Sequence, residues 1–149
     1  MHNLFDPATA ADIFLRIEKL QPDCKALWGK MNGAQMLSHV QAPIEVALGD
    51  KQLKRTLIGF LFGRIARKKL FNAKPYPVNL PTDTTFVRKG DHHFDTEKQK
   101  LIMMLNRFVS GGYEGLSQLP HPFFGKLTPA EWGTSLWKHL DHHLRQFGV

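Results

Sequence analysis

The chain has 149 residues, enough for one domain that buries most of its apolar surface without covalent staples. It is 42% hydrophobic and 22% charged, ordinary for a globular protein, and its single cysteine, Cys24, excludes an intramolecular disulfide and a cysteine-built zinc site. The formal charge of +7 comes from one place: residues 51–74 hold eight Lys or Arg and no acid, and the remainder is close to neutral. That distribution speaks against nucleic acid as the partner and describes a local basic patch.

The first helix is predicted from Asp6 as N-cap and Pro7 at the first helical position. Ile13, Phe14, Ile17 and Leu20 make its apolar stripe, and Gln21-Pro22 ends it. The stretch Met1 to Asp12 lacks a basic region followed by an apolar core, which predicts no signal peptide and a cytoplasmic location. An irregular connection through Trp28 and Gly29 leads to Asn32, which can cap a second helix from about Gly33 to Gly49. Met36, Val40, Ile44 and Ala47 face inward there, and Pro43 predicts a kink.

Leu57 to about Phe71 reads as a shorter amphipathic helix, rich in Lys and Arg on its outer face. Its apolar run stops at Arg64 and is too short to span a bilayer. Residues 74–83, with three prolines, form an extended crossover, and Phe86 to His93 is a short strand or a loop. A third main helix runs from Asp95 to about Ser110 with Leu101, Met104, Leu105 and Phe108 inward, and Gly111-Gly112 stops it. The fourth starts at a capping box, Thr128-Pro129-Ala130-Glu131, and places Trp132, Leu136, Leu140, His143 and Phe147 on one face. Residues 1–149 are therefore expected to fold as a single all-α bundle.

Of eight histidines, His2, His92, His93 and His121 need no function at this level. His139-Leu140-Asp141-His142-His143 is different. At about 100° per residue, His139 and His143 share the apolar face one turn apart, while His142 points away from its centre. Two inward imidazoles leave polar nitrogens that need a partner, and one metal ion satisfies both. A third ligand must come from another helix, and His39, at the edge of the Met36/Val40/Ile44 stripe, is the natural choice. Leu140 stands where a His-Glu-x-x-His protease needs its glutamate, so that chemistry is rejected. Glu45 and Asp141 read as surface carboxylates, and Cys24 as inert packing.

Gln35-Met36-Leu37-Ser38-His39 and His139-Leu140-Asp141-His142-His143-Leu144-Arg145-Gln146 resemble the DinB-like superfamily. His121-Pro122-Phe123-Phe124-Gly125-Lys126-Leu127-Thr128 with Glu131-Trp132 is similar to an uncharacterised bacterial subfamily within it. The resemblance implies an up-down-down-up four-helix bundle, here with the short basic helix added between helices two and three. It implies a metal site at His39, His139 and His143, holding a divalent ion such as zinc, nickel or iron. Gln146 falls on a polar position of the motif without an assigned role.

The implied activity is a metal-dependent thiol S-transferase or hydrolase acting on a small electrophile, with a low-molecular-weight thiol as co-substrate. The competing expectation is a non-catalytic bundle whose basic segment docks on a partner or an anionic membrane surface; peripheral membrane contact is the less favoured of its roles. Helical faces beyond those the core needs make a homodimer reasonable.

Overall fold

Asp6 begins the first helix by accepting from the backbone N–H of Thr9 at 2.9 Å, and Pro7 occupies a position whose N–H would be idle anyway. In the computed structural model, which describes residues 1–53, 63, 65, 67, 71, 74–79, 86 and 90–149, this helix (α1) spans Pro7–Lys19. Helix α2 spans Gly33–Leu48 behind a reciprocal capping box of Asn32 and Gln35, and Gly49 closes it in the left-handed conformation at φ 80°. Helix α3 spans Phe94–Gly111 and helix α4 spans Pro129–Gln146, the latter behind the predicted Thr128/Glu131 capping box.

The expected short helix from Leu57 to Phe71 lies largely outside the described residues; within it Gly63, Ile65 and Arg67 are helical. The expected crossover and the stretch from Phe86 to His93 lie partly outside them. Among the described residues there is no strand, only a single bridge between His121 and Gly125.

Named contacts give the direction of each helix. Gly33 at the start of α2 lies against the ring of Phe94 at the start of α3, and Asp50 just past α2 pairs with Arg107 near the end of α3 at 2.7 Å. These two helices are parallel. Lys98 near the start of α3 reaches the carbonyl of Leu20 just past α1, so α1 runs the opposite way. Asn3 donates to the carbonyl of Ala130, and Arg16 pairs with Asp141, which sets α4 parallel to α1. The result is an up-down-down-up four-helix bundle. Helix α2 packs on α3 and α4, α1 packs on the same two, and α1 and α2 stand on a diagonal.

Helix α2 is the inner element. All of its residues except Gln35, Pro43 and Glu45 are buried, so the predicted stripe is only part of an enclosed surface. It runs unbroken through Pro43, which lacks an N–H, so the carbonyl of His39 one turn earlier receives no bond from that residue. The core joins Ile13 and Ile17 of α1, Met36, Leu37 and Ile44 of α2, Leu101, Leu105 and Phe108 of α3, and Leu136 and Leu140 of α4. Met104, expected inside, is only half-buried at its rim.

One polar link crosses this core. The side-chain amide of Gln41 donates to the carbonyl of Glu97 at 3.0 Å and to its carboxylate at 2.9 Å. Burial alone raises the Glu97 pKa, but the bonds from Gln41 and His92 and the charge of Lys100 reverse it, and the net shift is downward. Leaving that buried carboxylate one donor short costs about 1–3 kcal/mol. Gln41→Leu is therefore expected to lower unfolding free energy by that amount in urea titration. The double variant Gln41→Leu/Glu97→Leu should recover part of the loss; an additive loss in the double variant contradicts the link.

Candidate metal centre

His39 sits mid-way along α2, and His139 and His143 occupy successive turns of the antiparallel α4. The structure brings these three rings together. Their centroids form a nearly equilateral triangle, 4.9 Å for His39–His139 and 4.7 Å for each of the other two pairs. One ligand atom from each lies within 4.8 Å of the others, and no carboxylate belongs to the group.

The hydrogen bonds around the triangle set which nitrogen faces inward. His39 Nδ1 is 2.9 Å from the carbonyl oxygen of Phe86, which can only accept, so Nδ1 carries the proton and Nε2 keeps its lone pair. His143 is set by a longer chain. The backbone carbonyl of Trp28 accepts from Gln146 Nε2 at 2.6 Å, which fixes the orientation of the amide. Gln146 Oε1 then accepts from His143 Nδ1 at 2.8 Å, and the His143 lone pair is again on Nε2. His139 Nε2 faces His39 Nε2 at 3.1 Å, and His139 Nδ1 is buried without a partner among the described residues.

His139 and His143 are neutral at ordinary pH. Burial pushes His139 well below its usual range, helped by the neighbouring charges of His143 and His39. Burial likewise brings His143 down to about 3, against a small upward pull from Gln146. The centre is thus a buried cluster of three imidazoles, two of them held neutral by burial, with the Nε2 atoms of His39 and His139 face to face.

His142 departs from the sequence expectation in one respect. It is not in the triangle, but it is 7% exposed, as buried as His143. Trp28 and Tyr76 cover it, each with its ring centroid 5.8 Å away. Its Nδ1 and the Trp28 indole nitrogen are buried without partners among the described residues. The Tyr76 hydroxyl is held protonated, because burial raises its pKa well above the ordinary value.

The other sequence assignments sort as follows. Asp141 lies on the outer face of α4 but is mostly covered, tied to Arg16 at 3.0 Å and Arg145 at 2.9 Å. Cys24 is half-buried beside Gly33, and burial raises its thiol pKa, which makes it a poor nucleophile. Within the basic segment, Arg67 is ion-paired with Glu131 at the start of α4. That pairing commits one cation expected to face solvent; residues 54–62, 64, 66, 68–70 and 72–73 of the segment lie outside the described set.

Sequence reasoning missed two residues. Gln146 orients His143, and the only local signal is its i+3 spacing on the same helix. His121 is 6% exposed, with Nδ1 accepting from the backbone N–H groups of Phe123 and Phe124 and its ring beside Trp132. It pins the turn before α4.

Fold and centre together define a helical bundle with a buried three-histidine cluster. A family model described as "Protein of unknown function (DUF1569)" matches residues 6–148, and the chain belongs to that family. No curated protein and no solved structure matches it.

Burial lowers the His121 pKa from 6.5 to about 4. The unfolded chain then takes up a proton that the folded chain refuses between those values. Stability should be intact above pH 6.5 and fall as pH drops toward about 4, by up to about 3 kcal/mol from this residue. Denaturant titration at pH 7.5, above this window, and at pH 4.5, near its lower end, checks it. The slope should become shallower in His121→Asn, which keeps an acceptor but does not titrate; an unchanged slope contradicts the assignment.

Proposed function

We propose that the protein is a divalent-metal-binding bundle of the DinB-like type, acting on a small electrophile as a metal-dependent thiol S-transferase or hydrolase. The observation that carries the reading is the way Phe86 and Gln146 hold the Nδ1 protons of His39 and His143. Second partners of this kind are what metal-ligating histidines need, because they fix the tautomer and ring orientation. The donor set fits zinc, nickel or iron: three imidazoles, no carboxylate in the cluster among the described residues, and facing Nε2 atoms at 3.1 Å. His39, His139 and His143 would hold the ion. Bound there with three protein ligands, it supplies Lewis acidity toward a water or thiol at its open position.

The chain's own residues supply orientation and exclusion of water. Trp28 fixes Gln146, and Gln146 fixes His143. Leu136 and Leu140 beside the ligands keep the interior apolar, which strengthens electrostatic interactions within it. Among the described residues the cluster consists of the three histidines and includes no carboxylate. The substrate class implied is a small electrophile, with a low-molecular-weight thiol as the attacking group in the transferase case.

Protein purified without a His-tag should carry one ion per chain, or take up zinc, nickel or iron with a rise in melting temperature. His143→Ala should abolish uptake and His142→Ala should retain it. Absence of both stoichiometric metal and metal-induced stabilisation in the wild type overturns the reading. Gln146→Leu leaves all three ligands in place and should weaken metal affinity by about 10–100-fold, measured by competition with a chromogenic chelator. Wild-type affinity in that variant contradicts the orienting role. Assay of the metal-loaded protein against a panel of thiols and electrophiles tests the reaction class.

A further inference from the structure

Two buried polar groups beside the histidine triangle take no part in it. His142 Nδ1 and the indole N–H of Trp28 are both buried without a hydrogen-bond partner among the described residues. They belong to one cluster, because the Trp28 ring lies 5.8 Å from the His142 ring, and the His142 ring lies 5.0 Å from that of His143. His142 is only 7% exposed, so bulk water does not satisfy it. An indole N–H can only donate, and a buried donor without an acceptor is costly. The Trp28 carbonyl is committed to Gln146, but its side chain is not.

A cavity adjoins the cluster. Its volume is about 440 Å³, within the range of about 300–1,000 Å³ found for small-molecule sites. Trp137, Lys138 and Asp141 of α4 form part of its wall, together with Lys74 and Pro75. The next residue, Tyr76, stands between this cavity and the cluster. Its ring is 5.8 Å from that of His142 and 5.1 Å from the Lys138 ammonium. Burial raises the Tyr76 pKa, so the phenol there is uncharged.

We propose that Trp28 and His142 form a ligand pocket beside the histidine centre, entered from the cavity past Tyr76, which takes the carbonyl oxygen of a small uncharged molecule. An oxygen with two lone pairs satisfies the indole N–H and can also accept from His142 Nδ1. The three rings of Trp28, Tyr76 and His142 suit an apolar body behind that oxygen. Identifying this ligand with the electrophile rests on the proposed function, since a carbonyl compound is an electrophile that offers such an oxygen. The pocket itself needs no ion.

The test uses full-length ¹⁵N-labelled protein treated with chelator. The probes are acetophenone and fluorobenzene, which share a flat ring and differ in the carbonyl. The readout is the indole N–H resonance of Trp28, assigned by its loss in Trp28→Phe, a variant that keeps the backbone carbonyl holding Gln146. Acetophenone should shift it saturably with a dissociation constant below about 10 mM. Fluorobenzene should bind about tenfold more weakly or worse. His142→Phe, which keeps a ring and loses the nitrogens, should weaken acetophenone binding about five- to tenfold. Trp137→Phe, on the far wall of the cavity, should not.

Absence of a saturable shift at Trp28 overturns the proposal. So does equal affinity for fluorobenzene, which would mean apolar packing without the oxygen, or a shift confined to the Trp132 or Trp137 indole, which would place the ligand elsewhere. With no ion present, the outcome is independent of metal uptake. A protein that binds metal but not acetophenone keeps the metal centre and loses this pocket; the reverse result keeps the pocket and overturns the proposed function.

Discussion

The structure depends on holding three imidazoles against one another inside a helical core. A buried polar nitrogen without a partner costs about 1–3 kcal/mol, and this centre concentrates several of them. The bundle meets the demand partly with its own backbone. Phe86 offers a carbonyl to His39, and Trp28 offers one to Gln146, which passes the constraint on to His143. Both carbonyls come from segments outside the four helices. The helices supply level and direction, and the connections supply tautomers.

That division explains several features around the centre. Gly29 lies beside Trp28 with φ +82°, and a Cβ there would meet Gln146 Nε2 at 2.5 Å, so the turn that presents the Trp28 carbonyl has no room for a side chain. Helix α2 is enclosed on nearly every face because it carries His39 into the interior and contacts both α3 and α4. Its long axis is tied to α3 by the Gln41–Glu97 bonds, and α4 is tied to α1 by Arg16 and Asp141. The two helices that bear the clustered histidines are each braced by a polar contact to a helix that bears none.

The helices were legible in the sequence because their signals are local. Asp6 with Pro7, Asn32, and Thr128 with Glu131 announce three starts, and the apolar spacing gives the inner faces. The same geometry separated His139 and His143 from His142. It underestimated how deeply His142 is covered, because its cover comes from Trp28 and Tyr76, far away in the chain. Gln146 was visible only as a motif position, since its role requires the Trp28 carbonyl more than a hundred residues earlier. His121 looked like a loop residue between prolines; the turn that folds back onto its ring, and Trp132 against it, have no periodic signature. The pairing of Arg67 with Glu131 was hidden for the same reason: nothing in a local basic run tells which cation finds an acid.

The central claim is that His39, His139 and His143 bind one divalent ion through their Nε2 atoms. X-ray absorption at the metal edge of the untagged, metal-loaded protein tests it most directly. The account predicts about three imidazole nitrogens, at roughly 2.0–2.1 Å if the ion is zinc, with the multiple-scattering pattern of histidine rings, and a loss of that pattern in His139→Ala. A spectrum dominated by oxygen or sulfur ligands, or one unchanged in His139→Ala, would contradict it.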